Sequence, residues 1–425
     1  MKKYENYKDS GLEWLGMVPE HWKSMKIKYL FSFGRGLNIT KSDLVEDGIP
    51  VISYGQIHSK ANTGVAVKEE LLRFVPTDIA SAHPENKVHI GDFIFADTSE
   101  DKEGCGNCAY IDREGIYAGY HSLVLDGKGR DNKYFAYLFK SEPWRIQIRS
   151  KASGVKVFSI TQSIMGESSI ILPPLTEQRT IASYLDQKVG QIDALISEKE
   201  KMVEDLKAYR SSLITETVTK GLDKEVEMKD SGVEWIGKMP KDWKLLKLKR
   251  IVNLKSGTTL TSDRILDEGK YQVFGGNGPR GYIDDYTNEG NFVLIGRQGA
   301  LCGNINYANG KFWATEHAII CYPLKDIDTI WLGETLRAMN LNQYSISAAQ
   351  PGLAVERINE LLIPTPSISE QKEISSYLKL RIIQIESAIS EQEHQLSDLK
   401  SYKSSLITEA VTGKIDLRDW QTKKS

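Results

Sequence analysis

An internal duplication constrains what this chain of 425 residues can fold into. Residues 8–22 recur as residues 229–243, with an offset of 221. A second block, residues 177–216, recurs without a gap as residues 370–409, with an offset of 193, and more than half of its positions are identical. The offsets differ by 28, so the first stretch between the blocks is 28 residues longer than the second, and the two stretches share almost no similarity. The chain repeats a scaffold and varies its inserts.

The second block has the pattern of a long helix. Thr176 and Ser369 stand at the predicted N-cap positions, each followed by a glutamate that faces the positive end of the helix dipole. Prolines lie just upstream in both copies, and Gly221 and Gly413 are placed to end the helices. About 45 residues at ~1.5 Å per residue predict a rod of roughly 65 Å.

Apolar residues in this block follow the spacing of four and three that is typical of a coiled-coil seam. The seam residues are Leu185, Val189, Ile192, Ile196, Val203, Leu206 and Leu213 in the first copy and Leu378, Ile382, Ile385, Ile389, Leu396, Leu399 and Leu406 in the second. Both copies interrupt the seam at equivalent places, Lys199 with Gln392 and Arg210 with Lys403. Neither helix can bury this stripe alone, so each copy is the predicted partner of the other. Packing of each helix on its own globular region is the alternative.

The stretches between the blocks are rich in short strand-like runs separated by Gly, Asn and Asp, for example residues 51–54, 93–95, 292–295 and 318–321. After Trp22 and Trp243, apolar and basic residues alternate, which predicts a half-buried strand with a cationic outer face. Trp14 and Trp235 are interpreted as core anchors, with base stacking as the alternative. The predicted fold class is therefore α+β, with two strand-rich globular regions in tandem and two long helices.

Composition narrows the classes of protein that fit. A hydrophobic fraction of 40% is enough for substantial cores. No run of 18 apolar residues exists, which disfavours a membrane span, and four cysteines in so long a chain fit a reducing cytosol and a cytoplasmic protein. The net charge of −2 means that any DNA-binding surface must be a local patch.

The sequence contains short matches to catalytic and cofactor-binding motifs, but the residues around each match do not fit the motif. Residues 276–281 match a dinucleotide fingerprint by letters, but Pro279 interrupts it and no helical pattern follows, so a glycine-rich turn is expected. Cys105 and Cys108 form a single pair that His121 could join only at irregular spacing, so a hairpin with buried thiols is favoured over zinc. No P-loop is present, and Leu172-Pro173-Pro174-Leu175 lacks the asparagine and the aromatic residue of amino-methyltransferases. No catalytic and no metal site is expected.

Three motifs stand out in the sequence: Asp-Ser-Gly-x-Glu-Trp-x-Gly-x-x-Pro-x-x-Trp, present twice, the helix that begins Glu-Gln and contains Ser-Ser-Leu-Ile-Thr-Glu, present twice, and Gly-Lys-Ile-Asp-Leu-Arg-Asp-Trp at residues 413–420. Together they resemble the specificity (S) subunit of type I restriction-modification enzymes. The resemblance covers nearly the whole chain. It implies two target recognition domains, each of which reads one half of a bipartite site in double-stranded DNA, and an intramolecular antiparallel coiled coil that separates them.

The same resemblance implies the division of labour in a complex. Two methylation (M) subunits and, in the full complex, restriction (R) subunits would bind this chain. S-adenosylmethionine, ATP and Mg²⁺ would be bound by those subunits, and this chain would bind no cofactor. The implied domains are recognition domain 1 at residues 1–172, helix 1 at 173–221, recognition domain 2 at 222–365, helix 2 at 366–414 and a tail at 415–425. Tandem copies joined by antiparallel helices acquire a pseudo-two-fold axis. The helices would then set the spacer, and unequal inserts predict an asymmetric site.

Candidate contact residues follow from residue type. Basic and amide side chains in loops are the ones that suit DNA phosphates and base edges. The predicted DNA contacts are Arg35, Lys41, Lys151, Lys156, Lys255, Asn277, Arg280, Arg297, Gln298, Gln350 and Arg357. The loops at residues 151–154 and 349–352 precede their helices by similar distances and could bind the DNA backbone equivalently. Copied polar residues of the helices predict the surface for identical partner subunits: Glu177, Gln178, Thr215, Glu216, Glu370, Gln371, Thr408 and Glu409.

Two other functions remain open from sequence. One is a structural adaptor that joins two cargo domains through a coiled coil without binding DNA. The other is a nuclease assembled from scattered acidic residues such as Asp92, Asp97 and Glu100.

Overall fold

The computed structural model describes residues 2–62, 65–299, 301–345 and 352–421. The chain divides into two compact units. The first unit combines residues 1–198 with residues 395–425, and the second unit consists of residues 199–394. Each long helix therefore contributes one part to the first unit and another part to the second.

The first unit contains short strands and helices ahead of its long helix. Its strands are β1 (Tyr7–Asp9), β2 (Met17–Pro19), β3 (Lys23–Lys26), β4 (Ser32–Arg35), β5 (Ile49–Ile52), β6 (Arg73–Val75), β7 (Phe93–Ala96), β8 (Thr98–Ser99), β9 (Cys108–Tyr110), β10 (Tyr117–Ala118), β11 (Ser122–Asp126), β12 (Phe158–Ser159) and β13 (Ser169–Leu172). Its helices are α1 (Tyr54–Ile57), α2 (Thr77–Ala82), α3 (Lys133–Lys140), α4 (Glu142–Lys151) and α5 (Gln162–Gly166), followed by the long α6 (Leu175–Lys220) that continues into the second unit. The larger sheets have the strand orders β4-β11-β7-β9 and β10-β5-β6.

The second unit repeats this plan with longer strands. Its strands are β14 (Met228–Asp230), β15 (Lys238–Pro240), β16 (Lys244–Lys247), β17 (Val252–Ser256), β18 (Tyr271–Gly275), β19 (Gly278–Ile283), β20 (Asn288–Gly296), β21 (Ile305–Ala314), β22 (Ala318–Pro323) and β23 (Leu362–Thr365). Its helices are α7 (Thr329–Ala338), α8 (Val355–Asn359) and the long α9 (Ile368–Val411), whose end returns to the first unit. One six-stranded sheet has the order β17-β22-β20-β21-β18-β19. The mixed strand and helix content confirms the predicted α+β class.

Within each unit, the two long helices run antiparallel. In the second unit, Lys207 of α6 bonds Glu393 of α9, and Arg210 bonds Glu386, so rising numbers on one helix meet falling numbers on the other. In the first unit, Lys403 of α9 donates to Asp193 of α6 at 2.6 Å. Since Asp193 is the copy of Glu386 and Lys403 is the copy of Arg210, the same cross-helix ion pair occurs once in each unit.

One pair of seam interruptions, Lys199 and Gln392, face each other. Lys199 Nζ donates to Gln392 Oε1 at 2.9 Å, although both residues occupy the same position of the repeat. A residue that contacts its own copy is the contact expected at a two-fold axis between antiparallel copies. Of the fourteen seam residues, nine are buried, and Ile196, Leu206, Leu213, Ile382 and Leu399 are partly buried. The other two interruptions, Arg210 and Lys403, are ion-paired with Glu386 and Asp193, so each of the four interruptions has a polar partner on the other helix.

The predicted N-caps are wrong in position. Helix α6 begins at Leu175, one residue before Thr176, and α9 begins at Ile368, so that Ser369 lies inside the helix. Ser367 forms the cap of α9, because its Oγ accepts from the Glu370 amide while its own amide donates to the Glu370 carboxylate. Gly221 and Gly413 do end the helices, with φ of 77° and 72°.

The two copied blocks meet through a tryptophan in each unit. Trp22 Nε1 donates to Glu177 at the start of α6 at 3.0 Å, and the Trp22 ring packs against Gly413 at the end of α9. In the second unit, Trp243 Nε1 donates to Glu370 at the start of α9 at 3.1 Å, and its ring packs against Gly221 at the end of α6. Each copied tryptophan therefore joins the beginning of one helix to the end of the other, which explains why both blocks are kept together.

The strand predicted after each copied tryptophan is present as β3 and β16, and the basic residues that follow the tryptophans are exposed, as expected of a cationic outer face. These residues are ion-paired, because Lys26 and Lys28 both bind Glu167, and Lys247 and Lys249 both bind Glu360. The lysine pair lowers the pKa of each of these carboxyls to about 2. The ion pairs neutralise part of the positive charge of this outer face.

The half-buried tryptophans fit the predicted anchoring role. Trp14 and Trp235 pack against the main cores of their units, although they are less buried than Trp22 and Trp243. The strand-like runs predicted from sequence lie in or overlap β5, β7, β20 and β22.

Candidate nucleic-acid interface

The inserts share three strands despite their lack of sequence similarity. In the first unit, β11 lies between β4 and β7, and its Leu123 pairs with Arg35 and Phe95. In the second unit, β22 lies between β17 and β20, and its Ile319 pairs with Ser256 and Ile295. Both sets are antiparallel. The register therefore makes Arg35 and Ser256 equivalent positions.

Backbone hydrogen bonds extend this equivalence beyond the strands. The Asp97 amide donates to the His121 carbonyl, and the Ile160 amide donates to the Asp97 carbonyl, at 3.2 and 2.8 Å. In the second unit, the Arg297 amide donates to the His317 carbonyl, and the Leu353 amide donates to the Arg297 carbonyl, at 2.8 and 2.9 Å.

Asp97 therefore corresponds to Arg297, and His121 corresponds to His317. We call this end of the sheet the variable edge, which comprises Arg35, Asp97, Thr98 and His121 in the first unit and Ser256, Arg297, Gln298 and His317 in the second.

Half of the 28 extra residues of the first insert enter near the same edge. The register pairs Pro50 of β5 with Phe74 of β6, whereas the equivalent pair in the second unit is Gln272 with Tyr282. The numbers of the paired residues differ by 24 in the first unit and by 10 in the second, so this single connection accounts for 14 of the 28. It carries α1 in the first unit, and it is a two-residue turn at 276–277 in the second. The loops that differ most between the copies thus lie beside the variable edge.

Aromatic and amide groups surround the variable edge of the first unit. The Tyr54 ring lies 5.5 Å from the ring of His121, and His58 Nε2 contacts the Thr98 carbonyl at 2.9 Å. Asn107 contacts His58 Nδ1 at 3.1 Å. An adjacent cavity of about 450 Å³ is lined partly by carboxylates: Glu100, Asp101 and Glu103. Three carboxylates against one guanidinium, that of Arg145, give this cavity a net negative charge, so it repels phosphate and favours donor groups as ligands.

The variable edge of the second unit presents cationic and amide groups. Arg297 Nη1 donates to Ser256 Oγ at 3.1 Å, and Gln298 Oε1 contacts His317 Nδ1 at 3.0 Å. Asn304 donates to Asn277 at 2.9 Å in the short turn. A cavity of about 320 Å³ is lined by Arg297, Gln298 and residues 352–356. These side chains offer both donors and acceptors, which suits recognition of base edges.

The structure brings together some of the predicted DNA contacts. Arg297 and Gln298 are at the variable edge, and Asn277 and Arg280 are in and just after the adjoining turn. Arg35 is at the variable edge of the first unit, and Lys156 is exposed in the loop before β12, which pairs with β8 beside Asp97.

Other predicted contacts lie apart from this group or outside the described residues. Lys255 packs over the Tyr322 ring, Arg357 over the Tyr344 ring, and Lys151 ends α4 with its ammonium 3.4 Å from the Glu167 carbonyl. Lys41 is exposed in a 3₁₀ turn at residues 41–43. Gln350 lies outside the described residues.

Several copied residues proposed for partner binding are used inside the units. Glu177 is 8% exposed and accepts from Tyr4, His21 and Trp22. Gln178 and Gln371 are also buried, and their amides donate to the carbonyls of Pro173 and Pro366. Glu370 accepts from Trp243. Their hydrogen bonds favour a structural role.

The remaining copied residues keep surface exposure. Glu216 is exposed, and Thr215, Thr408 and Glu409 are partly exposed. One neighbouring copied pair was not predicted from the sequence: Tyr209 is 48% exposed, and its copy Tyr402 is 51% exposed. The sequence did contain a signal for this pair, because a large aromatic residue is repeated at a position that does not belong to the seam.

The acidic residues proposed for a nuclease site do not converge. Asp92 is 3% exposed and accepts from the amides of His89 and Gly127, and burial raises its pKa. Asp97 lies beyond the other end of β7. Among the described residues, no group of three or more His, Cys, Asp or Glu side chains could hold a metal ion. The separation of Asp92 from Asp97 argues against a nuclease site built from these acidic residues.

The other two motifs have structural roles. Residues 276–277 form the tight turn between β18 and β19, as expected of a glycine-rich turn. Cys105 and Cys108 are buried free thiols, and burial raises the pKa of Cys108 to about 11. The hairpin interpretation of this pair is confirmed, because β9 pairs antiparallel with β7.

Among the described residues, no helix is long and apolar enough to span a membrane.

The sequence of this chain is similar to sequences of known proteins. The family model of the type I restriction modification DNA specificity domain matches residues 19–205 and 240–394. The type I restriction enzyme EcoprrI specificity subunit of Escherichia coli is 42% identical over 135 residues, which are 31% of this chain and 34% of that protein. The putative type I restriction enzyme MjaX specificity subunit of Methanocaldococcus jannaschii is 24% identical over 466 aligned residues, which cover 98% of both chains.

Solved structures agree in fold. A chain from a structure that concerns complex assembly and conformational transition of the type I R-M system has a TM-score of 0.71 at 17% identity, and the alignment covers 94% of this chain and 99% of that one. The HsdS subunit from Thermoanaerobacter tengcongensis has a TM-score of 0.50 at 17% identity, with coverage of 94% and 98%.

Proposed function

Because this chain belongs to the family of the type I restriction modification DNA specificity domain, we propose that it is the non-catalytic subunit that selects the DNA sequence for such a system. Each unit reads one half of a bipartite site in double-stranded DNA. The observation that carries this proposal is the variable edge, where one backbone framework presents Asp97 in one unit and Arg297 in the other. Two different edges on one framework support an asymmetric site.

The long helices are proposed to set the spacer between the half-sites. Helix α6 contains 46 residues, and at ~1.5 Å per residue this is about 69 Å of helix. Half-sites one turn of DNA apart are separated by ~34 Å. Since α6 and α9 are continuous through both units, a change in their length would change the spacing that the units can read.

The partners are proposed to be two methylation subunits and, in the full complex, restriction subunits. S-adenosylmethionine, ATP and Mg²⁺ would then be bound by those subunits. Support comes from the repeat itself, because two identical partners need the same surface twice. The exposed pair Tyr209 and Tyr402 belongs to such a surface, and the exposed Glu216 with its copy Glu409 lies two helical turns further on.

Exchange of one insert tests the DNA-reading role. We expect the chain, combined with the methylation subunits of the same genome, to direct adenine methylation to one gapped motif. Replacement of residues 25–170 by the corresponding stretch of another family member should change one half-site and leave the other half-site and the spacer unchanged, because the second insert and the helices are untouched. Methylome sequencing of cells that express each complex measures both motifs.

The same experiment separates the alternatives. A complex that methylates no gapped motif, or a motif that survives the exchange unchanged, would contradict the proposal and leave the structural adaptor as the explanation. Cleavage of DNA by the purified chain alone would instead indicate a catalytic site of its own.

A second experiment tests the partner surface. We expect Tyr209→Ala or Tyr402→Ala alone to leave one methylation subunit bound per chain, and the double variant to bind none, because each copy serves one partner. Native mass spectrometry of the reconstituted complex measures the stoichiometry. Met202→Ala is the matched control, since Met202 is 42% exposed on α6 and its copy is Gln395. Full occupancy of the double variant would place the partner surface elsewhere.

A further inference from the structure

We propose that the equivalent positions 97 and 297 read one base in each half-site with opposite hydrogen-bonding character. Asp97 accepts a hydrogen bond from an exocyclic amino group in the major groove, and Arg297 donates to a guanine. This inference rests on the proposed function, and it names the class of base at one position of each half-site.

The backbone at both positions is fixed on both sides. The amide and the carbonyl of Asp97 are bonded to His121 and Ile160, and those of Arg297 are bonded to His317 and Leu353. Because the backbone amide and carbonyl of each residue are hydrogen-bonded to equivalent partners, the two side chains start from equivalent positions of the backbone. What differs is the side chain, a carboxylate in one unit and a guanidinium in the other.

Asp97 has the exposure and the free acceptor capacity that a base contact needs. Its side chain is 38% exposed. Its buried oxygen Oδ1 has no hydrogen-bond partner among the described residues but lies 3.6 Å from Nδ1 of His121, within ion-pair distance, so this oxygen is turned towards His121. The exposure of the side chain therefore leaves Oδ2 as the acceptor for a base, and an acceptor that is desolvated on binding needs a ligand that supplies a donor. A phosphate cannot do so, since it offers acceptors only, whereas cytosine N4 and adenine N6 carry amino donors.

Arg297 is half-buried and oriented by its neighbour. Nη1 donates to Ser256 Oγ, and the side chain lines the cavity that also exposes Gln298. The backbone of Gly276 packs closely against this site, because a Cβ at Gly276 would lie 2.9 Å from the His317 carbonyl oxygen and 3.7 Å from the Arg297 amide nitrogen. An oriented guanidinium with further N–H groups is suited to bidentate donation to guanine O6 and N7.

The test uses single substitutions in the full chain, assembled with its methylation subunits, and methylome sequencing. Arg297→Gln should relax one guanine of the second half-site and leave the first half-site intact. Asp97→Asn, which is nearly isosteric, should alter one position of the first half-site in favour of adenine, because asparagine pairs with adenine N6 and N7. Discrimination at the affected position should fall about 5- to 150-fold, the range of one good base contact.

Matched variants distinguish base reading from charge and from misfolding. Lys255→Ala removes one positive charge from the neighbour of Ser256. The Lys255 ammonium lies over the Tyr322 ring and its side chain leaves the opposite face of β17, so this variant should lower methylation evenly without a change of motif. Arg297→Lys keeps the charge and loses the fork, so its motif should relax in the same place as that of Arg297→Gln. An even loss of methylation with an unchanged motif in both Arg297 variants, or a change in both half-sites from one substitution, overturns the inference.

Failure of the inference and failure of the proposed function remain distinguishable. A wild-type complex that yields no gapped motif refutes the function. A gapped wild-type motif that neither Asp97→Asn nor Arg297→Gln alters refutes only the assignment of these two residues.

Discussion

Duplication of one heptad in both long helices is expected to lengthen the spacer of the recognised motif by about three base pairs and to keep both half-sites. Seven residues add about 10.5 Å of helix, and three base-pair steps of ~3.4 Å span the same distance. Residues 193–199 of α6 and residues 386–392 of α9 are the segments to duplicate, because they end at the facing pair Lys199 and Gln392.

The seam tolerates this change because a heptad returns to the same helix face. Ile196 and Ile389 are duplicated with their surroundings, so the new turns bring their own apolar residues. Methylome sequencing gives the spacer directly. Three base pairs also rotate the half-sites by about a third of a turn, since DNA has ~10.5 base pairs per turn, so the extent of methylation should fall even where the longer motif is selected.

Duplication in α6 alone is the control. It places the added residues opposite an unchanged α9, so either Asp193–Lys403 or Arg210–Glu386 loses its register. Such a chain should show lower thermal stability, and its complex should methylate no gapped motif. An altered half-site with a fixed spacer in the double insertion would contradict the role of the helices as the spacer.

Local rules predicted the helices well because their signals lie close together in sequence. The seam spacing, the terminal glycines and the matched interruptions are all read from neighbours within a few turns. The N-cap was misplaced because Ser367 and Ser369 both offer a hydroxyl, and only the reciprocal bonds of Ser367 with Glu370 identify the cap.

Three residues of the variable edge, Arg35, Arg297 and Gln298, were predicted from residue type. The equivalence of its two halves could not be predicted, since it depends on contacts between distant strands. Asp97 and Arg297 became equivalent only through the carbonyls of His121 and His317 and the amides of Ile160 and Leu353. The flanking sequences differ, and the offset between equivalents falls from 221 at Gly36 to 200 at Asp97, 196 at His121 and 193 at Ile160. A sequence alignment with one fixed offset therefore misses the pair.

The ion-paired lysines show a signal that sequence reasoning could have used. Glu167 and Glu360 keep the offset of 193 that the helices have, although they precede the copied block by ten residues. A carboxylate repeated at the offset of the second block and a lysine pair repeated at the offset of the first block, 221, together predict an ion pair that is present in both units. Their pairing supports placing DNA contacts at the variable edge.

Removal of either copied tryptophan is expected to destabilise its unit by about 3–5 kcal/mol, the range for loss of a large buried aromatic. Trp22 is 0% exposed and Trp243 is 3% exposed. Trp22→Ala and Trp243→Ala leave a cavity, and each also removes the N–H that a helix-initiating glutamate accepts. Urea unfolding followed by circular dichroism measures the loss, and Tyr29→Ala, at a residue 70% exposed, should stay within about 0.5 kcal/mol of the wild type.

The crosswise contacts of these tryptophans give the loss a distinctive location. Trp22→Ala should speed amide hydrogen exchange at the start of α6 and at the end of α9, because Trp22 joins Glu177 to Gly413. Trp243→Ala should do so at the start of α9 and the end of α6, because it joins Glu370 to Gly221. Phenylalanine at either position keeps most of the packing, so it should cost less than alanine while it still leaves the glutamate without its indole donor. Exchange that rises evenly along both helices in either alanine variant would show that the tryptophans stabilise only their local cores, and that the two copied blocks are held together by something else.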